Sequence, residues 1–173
     1  MLNIVLNKVR LNKINKDALK WLIRFMGIDI VHTFYKYDNL LMKPTLNATL
    51  LLPGKGCSWA KEKNGGCSMC GFKNALSYLG INRSFIDPET LRIFNLGLAQ
   101  LQKMHPRVLN IYTGGSFLDD KEISMNVQDT VIKQIKNNPD IETLFIESRP
   151  EFITKARLHN FITYLKPKAL KIG

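Results

Sequence analysis

The three cysteines of the chain lie within fourteen residues, in the pattern Cys57-x9-Cys67-x2-Cys70. An odd number of thiols so close together favours metal or redox chemistry, because a disulfide framework needs an even count and usually a secreted protein. Thiolates suit zinc and iron–sulfur clusters. A structural zinc ion requires four ligands, and only His32 or His105 could supply the fourth. Three thiolates match a four-iron cluster with one iron left open, while a zinc site and ordinary packing cysteines remain the alternatives.

Apolar runs that alternate with amphipathic stretches indicate the elements that must position these thiols. The run at 48–53 predicts a buried strand that is stopped by Pro53 and Gly54, directly before the cysteine loop. Strand, loop and helix then repeat three times, which is typical of parallel βαβ units with right-handed crossovers. The predicted strands are 48–53, 108–113, 143–148 and 169–172; the predicted helices are 88–104, capped by Asp87, 121–137 and 151–165, with a further helix start at 73–79.

The fold class predicted from this order is α/β, a partial (βα) barrel with parallel strands. Residues 1–47 are predicted to form a preamble with a helix at 17–26 and a strand or hairpin arm at 28–37, and residues 48–173 the barrel core. The last strand would leave an apolar edge exposed, which natural proteins cover. We therefore expect the barrel to be truncated after about the fourth strand, with the edge covered by a longer protein or by another chain.

Ligands of such folds bind beyond the carboxyl ends of the strands. Three unusual segments follow strands here. They are the loop at 54–70 that carries the three cysteines (the cysteine loop), the turn at 113–116 formed by Thr113, Gly114, Gly115 and Ser116 (the glycine turn), and the segment formed by Glu147, Ser148 and Arg149. We expect the three to meet on one face of the sheet.

Composition narrows the class of partner. The chain has 173 residues, 45% of them hydrophobic, and a formal net charge of +11. The positive charge suggests a polyanionic partner such as nucleic acid, with a solubilising lysine surface as the plain alternative. No apolar window is long enough for a membrane span and the amino terminus lacks a signal-peptide core, so we expect a soluble, cytoplasmic protein with no membrane partner.

The cysteine motif and the motifs at the strand ends resemble those of a known family. The cysteine spacing is similar to that of the radical S-adenosylmethionine superfamily, in the variant of its tRNA-modifying branch. Four surrounding motifs resemble the archaeal radical enzymes of archaeosine synthesis (the RaSEA family), and the similarity covers roughly residues 48–173. These motifs are Gly56-Cys-Ser-Trp59, Gly65-Gly-Cys-Ser-Met-Cys-Gly-Phe72, Tyr112-Thr-Gly-Gly-Ser-Phe-Leu-Asp119 and Ile146-Glu-Ser-Arg-Pro-Glu151.

The resemblance implies a set of site residues. Cys57, Cys67 and Cys70 would hold a [4Fe-4S] cluster whose fourth iron is chelated by S-adenosyl-L-methionine. The turn from Thr113 through Gly114 and Gly115 to Ser116 would contact the methionine amino group, although Ser116 stands where many relatives have Glu. Glu147 and Arg149 would meet the ribose hydroxyls or the methionine carboxylate, and Met69 would lie near the adenine. Each assignment has a purely structural alternative. The turn could simply end a strand, Glu147 and Arg149 could form an ordinary ion pair at a strand end, and Met69 could be a core residue.

The resemblance also implies an activity. The family cleaves the lysine adduct of the 7-cyano-7-deazaguanine base at position 15 of tRNA, by hydrogen abstraction with a 5'-deoxyadenosyl radical. A partner enzyme (ArcS) attaches that lysine, and a reductant supplies the electron to the cluster. The alternatives are another radical tRNA modifier, Elongator-catalytic-subunit-like or methylthiotransferase-like, and a zinc-stabilised RNA-binding module without enzymatic activity. A chain that ends inside its barrel is expected to be inactive alone.

Overall fold

The computed structural model describes residues 30–62, 65–68, 70, 84–165 and 168–173. Residues 31–173 belong to one compact unit. The predicted helix at 17–26, the predicted helix start at 73–79 and Met69 lie outside the described residues. No helix in the described part combines the length and apolarity that crossing a bilayer requires.

The unit is a mixed α/β structure built on a five-stranded sheet in the order β1-β2-β3-β4-β5. Strand β1 pairs antiparallel with β2, and the remaining pairs are parallel. The strands are β1 (Val31–Asp38), β2 (Lys43–Leu51), β3 (Val108–Tyr112), β4 (Thr143–Ile146) and β5 (Ala169–Ile172). The four α-helices of the described part are α1 (Ser58–Lys61), α2 (Asp87–Met104), α3 (Met125–Lys136) and α4 (Lys155–Leu165).

The predicted α/β class and the parallel strands are confirmed, whereas the barrel itself stays a prediction. The boundary predicted between residues 47 and 48 lies inside β2, and β1 pairs along nearly all of that strand. The sheet therefore includes a hairpin that the sequence analysis assigned to the preamble. The predicted strand or hairpin arm at 28–37 is confirmed over residues 31–37 as part of β1, whereas the first residues of its pairing strand, 43–47, were not predicted as a strand.

Two helices begin later in the chain than predicted. Helix α3 begins at Met125 rather than at residue 121, because Ser124 caps it by accepting the N–H of Val127. Helix α4 begins at Lys155 rather than at residue 151, because Pro150–Phe152 form a separate 3-10 turn. Asp87 is the first residue of α2, and Ile86 occupies the cap position.

The two faces of the sheet differ in polarity. On the face that packs against the helices, the three central strands carry six apolar residues that are fully buried: Ala48, Leu50, Leu109, Ile111, Leu144 and Ile146. Residues that alternate with these point to the opposite face. Asn47, Asn110 and Lys171 are among them, so the second face is partly polar. The apolar face forms the core that holds the strand ends in place.

An ion pair joins the outermost strands across the polar face. Lys171 Nζ on β5 lies 2.6 Å from Asp38 Oδ2 on β1. Four strand spacings in a flat sheet would separate these strands by about 19 Å, so the sheet must curve toward this face. Burial opposes ionisation of Asp38, but hydrogen bonds from Lys171 and from the backbone N–H groups of Leu41 and Leu40 outweigh it and hold the pKa of Asp38 below its ordinary value of 3.8.

Replacing Lys171 with methionine is expected to destabilise the fold by about 1–3 kcal/mol, because Asp38 is buried and would lose a charged partner. Urea unfolding at neutral pH measures this loss, with Lys36→Met on the exposed part of β1 as the control. Because the pKa of Asp38 is lowered by folding, its contribution is present above pH 3.8 and is lost as the pH falls through the folded value. Equal stability of the two variants at neutral pH would contradict this role of the ion pair.

Candidate functional site

The loops that follow β2, β3 and β4 meet at the carboxyl edge of the sheet, as the sequence analysis predicts. The backbone N–H of Phe117, after β3, donates to the carbonyl oxygen of Glu147, after β4, at 2.8 Å. Gly115 lies so close to the cysteine loop that a Cβ built on it would be 3.3 Å from Cys57 Cα. The three segments therefore form one candidate site.

None of the three cysteines is in a disulfide. Cys57 and Cys70 are partly buried, whereas Cys67 is exposed. The N–H of Cys70 donates to the carbonyl oxygen of Cys67 at 3.2 Å, which closes a turn between these two ligand candidates. Within the described residues, no set of three His, Cys, Asp or Glu side chains converges tightly enough to hold a single metal ion.

Cys57 occupies the cap position of the short helix α1. Burial raises the pKa of its thiol above the ordinary value. The backbone N–H groups of Ala60 and Trp59 and the charge of Arg149 act in the opposite direction, and the nearby Glu122 carboxylate adds to the rise. Without a bound metal ion, this thiol is therefore protonated at neutral pH.

The glycine turn is shaped by its backbone and by contacts to the next loop. Gly114 has a φ of 71°, a left-handed conformation that favours glycine. Ser116 is completely buried. Its hydroxyl lies 2.9 Å from the Ser148 hydroxyl and accepts the N–H of Arg149 at 3.1 Å. Ser116 thus ties the turn to the segment after β4, and its role as a ligand contact stays a prediction.

Glu147 lies beside the glycine turn. Burial raises the pKa of its carboxyl, while the backbone N–H groups of Thr113 and Gly114 donate to the carboxylate and lower the pKa in part. Two buried atoms here have no hydrogen-bond partner: Glu147 Oε2 and Thr113 Oγ1. Unpartnered buried polar atoms are rare in folded proteins and call for an explanation, such as a ligand that binds there.

Arg149 is engaged within the protein. Its Nη2 donates to Ser58 Oγ at 2.7 Å, Asp119 Oδ2 at 3.0 Å and Glu122 Oε1 at 3.2 Å. Its Nε is buried without a hydrogen bond and lies 3.5 Å from the exposed carboxylate of Glu151. The guanidinium carbon also lies 4.8 Å from the centre of the Phe152 ring and 6.0 Å from that of Trp59. The guanidinium therefore joins the cysteine loop to the segment after β4.

Sequence reasoning missed two acidic residues of this site. The side chains of Asp119 and Glu122 are both only 3% exposed, and both contact Arg149 and the cysteine loop. The signal available was weak, because acidic residues after a glycine turn are common on protein surfaces. Asp119 was quoted as the end of a motif, but nothing in the pattern indicated its burial.

Thiols such as those of the cysteine loop are the ligands that iron–sulfur clusters use. Three thiols on one loop are available as ligands, and the glycine turn packs directly against the first of them. The unpartnered atoms of Thr113 and Glu147 lie on the strand ends next to that turn. His105, considered as a fourth ligand for zinc, lies at the opposite edge of the sheet, 2.9 Å from Asp140.

The chain thus has the features of an α/β protein with a three-cysteine loop at the carboxyl edge of a mostly parallel sheet. It is similar to archaeosine synthase subunit beta of Methanosarcina acetivorans, with 27% identity over 96% of this chain and 42% of that protein. It is also similar to an uncharacterized protein of Methanocaldococcus jannaschii, with 31% identity over 87% of this chain and 38% of that protein. The resemblance to the archaeosine-synthesis proteins is thereby confirmed.

The chain spans about two fifths of the length of the curated relatives that it matches. No family model matches it. No solved structure matches it either.

Proposed function

We propose that this chain carries residues that bind the cofactors of a radical S-adenosylmethionine enzyme, and that this enzyme modifies tRNA during archaeosine formation. The observation that carries the proposal is the packing of the glycine turn against Cys57, with Glu147 Oε2 and Thr113 Oγ1 buried and unpartnered beside it. Unpartnered buried polar atoms are rare, and these two lie on segments that follow β3 and β4, where ligands of parallel sheets bind. The similarity to archaeosine synthase subunit beta supports the same proposal.

Cys57, Cys67 and Cys70 would hold the [4Fe-4S] cluster, each as a thiolate. When bound, such a cluster supplies one electron for the reductive cleavage of S-adenosyl-L-methionine. The task of this chain is then to bind and orient the nucleotide. Each thiol must lose its proton to bind iron, so cluster assembly would release protons.

We propose that Glu147 recognises the amino group of the methionine moiety. Burial raises the pKa of its carboxyl, the N–H groups of Thr113 and Gly114 lower it in part, and Oε2 is buried without a hydrogen-bond partner. An ammonium group would compensate the buried negative charge, whereas a carboxylate would be repelled by it. We therefore propose that Glu147 contacts the ammonium group or the ribose hydroxyls. Its negative charge would take the place of the glutamate that many relatives have at the position of Ser116.

The substrate class follows from the relative and from charge. The name of archaeosine synthase subunit beta refers to a tRNA modification. The net charge of +11 suits a polyanionic substrate such as tRNA. We propose that the reaction is the lyase step on the lysine adduct, with a lysine-attaching partner (ArcS) and an electron donor, in the cytoplasm.

Anaerobic reconstitution of the full-length protein, as its reading frame encodes it, tests this proposal. We expect about four irons per chain, a spectrum that changes when S-adenosyl-L-methionine is added, and release of 5'-deoxyadenosine after reduction. One tightly bound zinc ion and no iron would overturn the proposal and favour the RNA-binding module. Incubation with tRNA that carries the lysine adduct then distinguishes the lyase step from another radical modification.

A further inference from the structure

We infer that Glu122 is a positioning residue for the cysteine loop, and that it acts with Asp119 and Arg149 as one buried unit, here called the clamp. This inference rests on the proposed function, because it gives the clamp the task of presenting Cys57 for cluster binding. The clamp was not expected from the sequence, and none of its members needs to touch the cluster for the inference to hold.

Glu122 contacts the cysteine loop on both sides of Cys57. Its Oε1 accepts the N–H of Ser58 at 2.7 Å, and its backbone carbonyl accepts the N–H of Lys55 at 2.8 Å. Its Oε2 accepts the N–H of Ser116, in the glycine turn, at 2.6 Å. One side chain therefore fixes the distance between the first ligand candidate and the turn proposed to bind the nucleotide.

Asp119 and Arg149 complete the clamp from two other directions. Asp119 Oδ2 accepts the Ser58 hydroxyl at 2.6 Å and lies 3.0 Å from Arg149 Nη2. Arg149 also donates to Ser58 Oγ and to Glu122 Oε1. Segments after β2, β3 and β4 are thus joined through Ser58, the residue that follows Cys57.

The absence of a side chain at position 115 is part of the same arrangement. A Cβ on Gly115 would lie 1.9 Å from Glu122 Oε2, so the carboxylate occupies the space that any other residue would fill. Gly115 therefore serves the clamp directly, because it lets the carboxylate pass close to the turn and reach the cysteine loop.

Asp120, in the same segment, makes different contacts from those of Glu122. Asp120 pairs with Arg157 at 2.5 Å, and its side chain is 41% exposed. That ion pair links the segment after β3 to helix α4, and it makes no hydrogen bond to the described residues of the cysteine loop. The side-chain contacts of Glu122, in contrast, all go to the cysteine loop, the glycine turn and Arg149.

The test replaces Glu122 with glutamine in the full-length protein, with Asp120→Asn as the matched control. Glutamine keeps the size of the side chain but offers one acceptor and one donor, so either the Ser58 or the Ser116 N–H would face a donor. In the iron-free protein we expect hydrogen exchange at one of these two amides to be at least about tenfold faster in the glutamine variant. Asp120→Asn should exchange there as the wild type does.

Iron loading and nucleotide binding then test the functional part. We expect Glu122→Gln to bind less than about half the iron of the wild type and to respond to S-adenosyl-L-methionine only at severalfold higher concentration, because Cys57 is no longer held against the turn. The response is read from the spectrum of the reduced cluster, which a loss of stability alone would not shift. Wild-type exchange in Glu122→Gln, or wild-type iron loading and nucleotide response despite faster exchange, would overturn the inference.

A second variant covers the case in which Glu122→Gln does not fold. Ser58→Ala removes only the hydroxyl that Asp119 and Arg149 share, and we expect it to fold and to show a smaller loss of the same kind. Wild-type iron loading and exchange in Ser58→Ala would then overturn the inference. If the wild-type protein itself takes up no iron, the proposed function and the role of the clamp in cluster binding both fall, whereas faster exchange in Glu122→Gln would still establish the structural link.

Discussion

Replacing Cys67 with alanine is expected to abolish cluster binding and cleavage of S-adenosyl-L-methionine while leaving the stability of the iron-free protein unchanged. Cys67 is exposed and is in no disulfide, so its removal leaves no cavity. Exposed substitutions of this kind usually change the free energy of unfolding by no more than about 0.5 kcal/mol. The chain has only three cysteines, and two thiolates cannot replace three as ligands of a four-iron cluster.

The two effects are measured separately. Urea unfolding of the iron-free protein gives the stability, and iron analysis with 5'-deoxyadenosine release gives the function. Ser68→Ala, an exposed substitution next to Cys67, is the control and should match the wild type in all three measurements. Cleavage at the normal rate in Cys67→Ala would remove the cluster assignment, and a large loss of stability without metal would point to a packing role for this cysteine.

The parallel part of the fold could be predicted because its strands are short apolar runs between amphipathic helices. Residues 108–112, 143–146 and 169–172 all lie within predicted strands. The hairpin of β1 and β2 was only partly predicted, since its pairing partners at 43–46 carry few apolar residues and their register depends on contacts across the sheet. Helix starts were misplaced where a 3-10 turn or a serine cap precedes the helix.

The candidate site was also only partly predictable from the sequence. The three cysteines and the two strand-end segments were found because their residue types and spacing are unusual in a short sequence. The partners of Arg149 were not found, because Asp119 and Glu122 lie about thirty residues before it and nothing local indicates their burial. Ser116 was predicted as a ligand contact from its place in the turn, but its burial and its bond to Ser148 depend on the packing of two loops.

Replacing Glu147 with glutamine is expected to weaken the binding of S-adenosyl-L-methionine by about 10- to 100-fold. A hydrogen bond to a charged group contributes about 1.5–3 kcal/mol, and the variant would place an amide NH2 where Oε2 now lies unpartnered. Glutamine keeps the size of the side chain, so the turn should keep its shape. Titration of the iron-loaded protein with the nucleotide measures the loss.

The same substitution should stabilise the iron-free protein, which separates a binding residue from a structural one. Burial raises the pKa of Glu147, so an ionised carboxylate at this position lowers the stability of the folded protein at neutral pH. The wild type therefore gains stability as the pH falls through the raised folded value toward the ordinary value of 4.5, and Glu147→Gln does not. We expect the variant to unfold at higher urea concentration at pH 8 and the difference to shrink in acid.

Glu142→Gln is the matched control, because Glu142 lies just before the other end of β4 and pairs with Arg107. Its partly exposed ion pair is worth about 0–1 kcal/mol, and its loss should leave nucleotide affinity unchanged. If Glu147→Gln lowered stability at every pH and bound the nucleotide as the wild type does, Glu147 would be a structural residue of the strand end. A gain in stability together with weaker binding would show that the buried charge is retained for the ligand, because the fold alone is better without it.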